Sequence, residues 1–171
     1  VDLVGLLVDT VADARAAGPE HDWRLDLAVL EPPADAAPEE AEDFLPEPPL
    51  VIGDEARLRQ VVVNLLANAR VHTPAGSHVT TTLEREGNAL VVRIQDDGPG
   101  IAPEVRDRLF ERFARGDSSR ERRTGSTGLG MSIALAIVQS HGGSIAVDSS
   151  IATEDHGTTF TVRLPAAVVE E

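Results

Sequence analysis

NLLANARVHTP, residues 64–74, is the most telling stretch of this chain. Asn64 and Asn68 stand four residues apart, so on a helix they lie one turn apart on the same face. Gln60 extends that amide stripe, while Leu58, Val61, Val62, Leu65, Leu66 and Ala69 form an apolar stripe beside it. The pattern predicts a helix over 55–71 with one face in a core and another facing a polar site. Asp54 is its N-cap, and Thr73-Pro74-Ala75-Gly76 ends it.

To the N-terminal side, residues 1–17 place Leu3, Leu6, Leu7, Val11 and Ala14 on one helical face before Gly18-Pro19 stops the helix. Residues 23–30 (WRLDLAVL) alternate like a strand, and a short strand is expected at 50–53. Between them, 31–49 is rich in Pro, Ala and acid and reads as an exposed, poorly ordered loop. Strands follow at 78–85 and 89–96 around a Gly87-Asn88 turn, then a short helix from Pro103 to about Leu109. A polar loop covers 114–127, and an almost wholly apolar helix spans 128–140, closed by Gly142-Gly143. Strands at 144–149 and 158–165 complete the chain. The expected fold class is α+β: a two-layer sandwich, its mixed, mostly antiparallel sheet covered by helices on one face.

Composition narrows the function. With 171 residues, 42% hydrophobic and 26% charged, the chain is long enough for one well-buried core. A formal charge of −14 argues against nucleic acid and against contact with an acidic membrane surface. Lysine is absent, and seven of the fifteen arginines fall between Arg106 and Arg123, a local cationic segment suited to an anion. Without cysteine there is no disulfide, thiolate nucleophile or cysteine zinc site. No stretch approaches the roughly 20 apolar residues of a membrane span.

Three constellations carry chemistry. Leu90, Val92, Ile94 and Asp96 share one strand face, so Asp96 continues an apolar surface and needs a hydrogen-bond donor. An adenine amine would supply one; the alternative is a turn-stabilising aspartate, since DDGPGI at 96–101 is also good turn chemistry. Asn64 and Asn68 offer amide oxygens suited to a hard cation such as magnesium, or simply bonds to a neighbouring loop. His72 reads as a pocket-wall or otherwise satisfied histidine and not a metal ligand, since no second histidine or acid has ligand spacing with it. Gly125, Gly128 and Gly130 open the apolar helix, where backbone N–H groups and the helix dipole favour phosphate. This is neither a Walker A loop nor a dinucleotide fingerprint. Arg112, Arg115 or Arg120 could close over phosphates, while Phe110 and Phe113 are spaced as core anchors.

Taken in order, these motifs resemble the catalytic and ATP-binding domain of bacterial sensor histidine kinases, within the wider group that includes gyrase, mismatch-repair and chaperone ATPases. NLLANARVHTP resembles the N box, DDGPGI the G1 box, LFERF (109–113) the F box, GSTGLGMSI (125–133) the G2 box and GTTFTV (157–162) the terminal strand motif. The resemblance spans about residues 50–165 and implies the Bergerat-type sandwich. It implies that Asp96 binds the adenine amine, with Gly98, Gly100, Ile101, His72 and Thr159 around the nucleotide. Asn68 would ligate magnesium and Asn64 face the phosphates, both as catalytic residues. Gly128, Leu129 and Gly130 would contact phosphate, and Arg115 would act from a lid at 114–127. Val71 and Ser126 depart from the usual pattern, at a position often basic and at one often glycine.

Hydrolytic members of the group carry a glutamate base one turn before the magnesium asparagine; Asn64 occupies that position and cannot take a proton. This favours phosphoryl transfer to a side chain. None of the five histidines has the context of a phosphoacceptor box, so the acceptor is expected upstream, in a dimerisation and histidine-phosphotransfer domain. Residues 1–17 then read as the end of the linker or dimerisation helix region and 18–171 as the ATP-binding domain. The implied cofactors are ATP and Mg2+. The implied partners are that phosphotransfer domain and a response regulator, with a homodimeric full-length protein; whether the fragment alone is monomeric stays open. The domain is expected in the cytoplasm, its parent anchored in the bacterial membrane. The alternatives are a gyrase- or chaperone-type ATPase, an anti-sigma-type serine kinase and a degenerate docking module.

Overall fold

A computed structural model describes residues 1–110 and 129–169. The lid expected at 114–127, with Arg112, Phe113, Arg115, Arg120, Gly125, Ser126 and Gly128, lies outside the described residues.

Helix α1 (Leu3–Ala17) starts at Asp2, whose carboxylate accepts the Val4 N–H at 2.9 Å. It buries Leu3, Leu6, Leu7 and Val11, and also Thr10, whose hydroxyl donates to the Leu6 carbonyl at 2.8 Å. Strand β1 (Asp22–Asp26) is shorter than its alternating pattern predicts. After Leu27 the chain turns into a 3-10 turn (Ala28–Leu30) that buries Val29 ahead of Pro32-Pro33. The loop at 31–49 contains a helix, α2 (Pro38–Glu42), which the sequence reading did not anticipate. Pro38 at its first position and Glu39 and Glu40 in its first turn suit a helix N-terminus although no side chain is buried.

No strand forms at 50–53. Instead, Leu50 makes a single bridge to Asp2, the Leu3 N–H donates to Pro49, and the Ala167 N–H donates to Leu50 at 2.7 Å. Hemmed by Pro49 and Gly53, this segment is too short to pair along its length. It leads into α3 (Glu55–His72), capped by Asp54 accepting the Arg57 N–H at 3.1 Å. Its buried residues are Leu58, Val61, Val62, Leu65, Leu66 and Ala69, the expected stripe. Thr73 has extended dihedrals, as a residue before proline favours, and that ends the helix.

Strands β2 (His78–Glu86) and β3 (Ala89–Asp96) pair antiparallel, followed by α4 (Pro103–Arg106). The latter stops short of Leu109 because its continuation tightens: the Arg108 and Leu109 N–H groups reach only three residues back. Helix α5 (Leu129–Ser140) ends at Gly142, whose φ is 74°. Strands β4 (Ser144–Ser150) and β5 (Gly157–Pro165) close a five-stranded sheet ordered β1-β2-β3-β5-β4. Only β1 and β2 run parallel.

One core joins the layers. Leu3, Leu7 and Val11 of α1 pack with Leu58, Leu65 and Leu66 of α3, Ala134 and Val138 of α5, and Leu83, Leu90, Ile94, Phe160 and Val162 of the sheet. Helix α1 shares this core with the elements that follow it. Phe110 joins it edge-on to Phe160, centroids 6.4 Å apart. The opposite sheet face is polar, laced by ion pairs of Arg93 with Glu84 and Glu86 and of Arg163 with Glu86. Among the described residues no helix is long and apolar enough to cross a membrane.

Candidate functional site: a buried aspartate and two helical amides

Asp96 is the last residue of β3, set between Val79 of β2 and Thr158 of β5. It is only 7% exposed. Burial pushes its carboxyl pKa above the ordinary value. The N–H groups of Gly98 and Thr158 and the nearby His72 work the other way, while the charge of Asp97 adds to the rise. Gly98 donates to Asp96 Oδ1 at 3.0 Å. The side chain thus stays an acceptor in an apolar wall, where a ligand amine would find a partner.

The turn after Asp96 is held close. A Cβ on Gly98 would lie 2.4 Å from Thr73 Cγ2, so only glycine lets the turn approach the end of α3. Gly100 has a φ of 82°, and a Cβ there would sit 2.1 Å from the Ser150 carbonyl oxygen. Ile101 packs against the core and donates its N–H to Ser149 Oγ at 2.7 Å. Ser149 Oγ also lies 2.8 Å from the Thr158 hydroxyl, and His156 Nδ1 bonds the Gly98 carbonyl.

Asp97 points away from the core. The His78 N–H donates to its Oδ1 at 2.7 Å, and His78 Nδ1 lies 2.8 Å from Oδ2. Slight desolvation raises its pKa, but the hydrogen bonds and charge of His78 outweigh this and hold it below the ordinary carboxylate value.

Asn64 and Asn68 are half-buried on α3, as their spacing predicts. Asn64 Nδ2 donates to the Gly130 carbonyl at 3.3 Å, which draws the N-box helix and the first turn of α5 together. A Cβ on Gly130 would lie 3.8 Å from the Asn64 amide. Asn68 makes no side-chain hydrogen bond among the described residues, so its amide oxygen can serve a cation. His72, exposed at the end of α3, acts on Asp96 through charge. Leu129 opens α5.

One expected site residue is corrected. Thr159 does not share a side with Asp96: along β5 the buried residues are Thr158, Phe160, Val162 and Leu164, so Thr159 faces the polar side with Gln95 and Asp148. The residue beside Asp96 is Thr158, 5% exposed. Sequence reasoning also passed over Thr73, Ser149 and His156. Alternation within β5 carried the signal for Thr158; the others follow only from strand register and loop packing.

A buried acceptor at a strand end, a glycine turn braced against the N-box helix, and amides facing a helix N-terminus define a nucleotide-binding sandwich. Residues 53–168 match the family described as histidine kinase-, DNA gyrase B- and HSP90-like ATPase. The chain belongs to that family. It is 48% identical over 165 residues to the probable sensor histidine kinase TcrY of Mycobacterium tuberculosis, covering 96% of this chain and 30% of that relative. The solved mycobacterial sensor histidine kinase MprB superposes with a TM-score of 0.74 at 27% identity, over 99% of each chain. Full-length ShkA, solved in complex with AMPPNP, gives 0.71 at 26% identity over all of this chain and 31% of its own. The chain therefore spans 30% of the length of the curated relative TcrY.

Proposed function

We propose that this chain is the ATP-binding kinase domain of a sensor histidine kinase. It would hold Mg-ATP for phosphoryl transfer to a histidine in a separate dimerisation and phosphotransfer domain, α1 being the end of the connection to it. A response regulator would receive the phosphoryl group next. The observation that carries the kinase reading is Asn64. Its amide is bonded to Gly130 where a hydrolytic enzyme needs a carboxylate base, so water would have no proton acceptor there.

Each described group then has a task. Asp96, ionised, accepts the adenine amine, and Gly98 and Gly100 let the backbone lie flat against the base. Thr158 and His72 flank that carboxylate. The start of α5 at Leu129 and Gly130 offers backbone N–H groups to the phosphates. Asn68 fits one magnesium position. Among the described residues no group of three His, Cys, Asp or Glu could hold a metal alone. That donor set suits an ion sharing its coordination with a triphosphate and water. Magnesium, when bound, would neutralise charge on the transferring phosphoryl group. Catalysis by this chain is positioning, with no covalent step on its own residues.

The direct test is calorimetric titration with ATP, with and without magnesium, beside a phosphate-release assay. Saturable binding that magnesium strengthens, with negligible phosphate release, is expected. Steady release of phosphate would favour the gyrase or chaperone class, and no binding at millimolar ATP would overturn the nucleotide reading.

A further inference from the structure

Besides their shared apolar core, helices α3 and α5 are linked by one hydrogen bond near the nucleotide site and by another far from it. At the near point Asn64 Nδ2 donates to the Gly130 carbonyl. At the far point the Asp54 backbone N–H donates to His141 Nε2 at 3.1 Å. Asp54 caps the start of α3, whereas His141 follows the last residue of α5, so the helices run antiparallel. The two joints are ten residues apart on α3 and eleven on α5. At the rise of an α-helix these spans are about 15 Å and about 16 Å. The two lengths match.

The imidazole is fixed by chemistry as well as by position. Its Nδ1 lies 2.7 Å from the Ile137 carbonyl oxygen, which can only accept, so Nδ1 carries the proton and Nε2 is left to accept from Asp54. Gly53 makes room for the ring: a Cβ there would sit 2.2 Å from His141 Cδ2.

We infer that His141 is a positioning residue for the phosphate half of the nucleotide site. By pinning the far end of α5 to the N-cap of α3, it fixes how far Gly130 stands from Asn64 and Asn68. Asp96 lies on β3, accepts from Gly98 and sits beside Thr158 of β5, so the adenine half is held by the sheet and not by this joint. The inference rests on the nucleotide reading above. It adds a residue outside the five sequence motifs and separates the control of the two halves.

The test compares Mg-ATP with adenosine, the second ligand reporting on the Asp96 half alone. His141→Ala should weaken Mg-ATP by about tenfold, the worth of one well-placed hydrogen bond. Adenosine affinity should be unchanged. His141→Gln, whose amide oxygen can accept from Asp54, should recover most of the loss. Gly53→Ala should reproduce the effect by displacing the ring, yet add nothing in the His141→Ala background. This pair keeps the test decisive if one single variant folds poorly. Equal losses for both ligands, or an unchanged Mg-ATP affinity in both single variants, would overturn the inference while leaving the nucleotide reading intact. If the unsubstituted protein binds no Mg-ATP, both fall.

Discussion

Burial of Asp96 makes the unliganded domain less stable when the carboxyl is charged. A carboxylate whose folded-state pKa is raised costs stability once it ionises. The domain therefore gains from protonation below about pH 3.9, the unfolded value, and loses that gain as pH rises to the folded pKa. Asp96→Asn should raise the unliganded stability by about 1 kcal/mol in urea melts, the usual gain when a strained site residue is relieved. It should also cost at least about tenfold in ATP affinity, because an amide nitrogen repels the adenine amine. ATP affinity in the wild type should rise with pH through the Asp96 titration, and that slope should vanish in the variant. Asp97 behaves oppositely: its lowered pKa adds stability above about pH 3.9 that is lost as pH falls through the folded value. His78→Ala should move the Asp97 titration, followed by carboxyl NMR shifts, upward. Alternation along a single strand was enough to find Asp96, whereas choosing between Thr158 and Thr159 required the β3–β5 register, which long-range pairing sets.

Among the helices and strands, α3 is the decisive piece. Leu65, which follows Asn64 in sequence, is fully buried in the core. Leu65→Ala should destabilise the domain by about 2–5 kcal/mol, measured by denaturant unfolding. The helix was fully legible because cap, stripe and breaker are local signals. Failures fell where local pattern yields to neighbours. The segment at 50–53 has strand composition but pairs only briefly, with Val1 and Asp2 ahead of α1 on one side and with Ala167 after β5 on the other. Residues 28–30 keep an apolar pattern yet curl, so that Val29 reaches the core. In α2 the acidic first turn and Pro38 stabilise a helix that burial alone would not predict.

Across the domain, the helix layer stands on one sheet face, and the proposed nucleotide site is where α3, α5 and the ends of β3 and β5 meet. A ligand bound there bridges both layers, so binding must stabilise the entire fold. Mg-ATP at about 100 times its Kd should add about 2.7 kcal/mol, read as a rise in Tm, and EDTA should remove most of it. The two-layer architecture followed from element order, while the bracing of the glycine turn by Thr73, Ser149 and His156 joins residues from distant parts of the chain that no sequence window contains.

The interleaving of core leucines with working amides on α3 carries a genetic consequence. Substitutions that thin the core near Leu65 or Leu66 also disturb the neighbouring asparagines. Heat-sensitive alleles of this domain should therefore cluster on α3, and warming should abolish the proposed ATP binding in such variants well below the temperature at which the polypeptide precipitates.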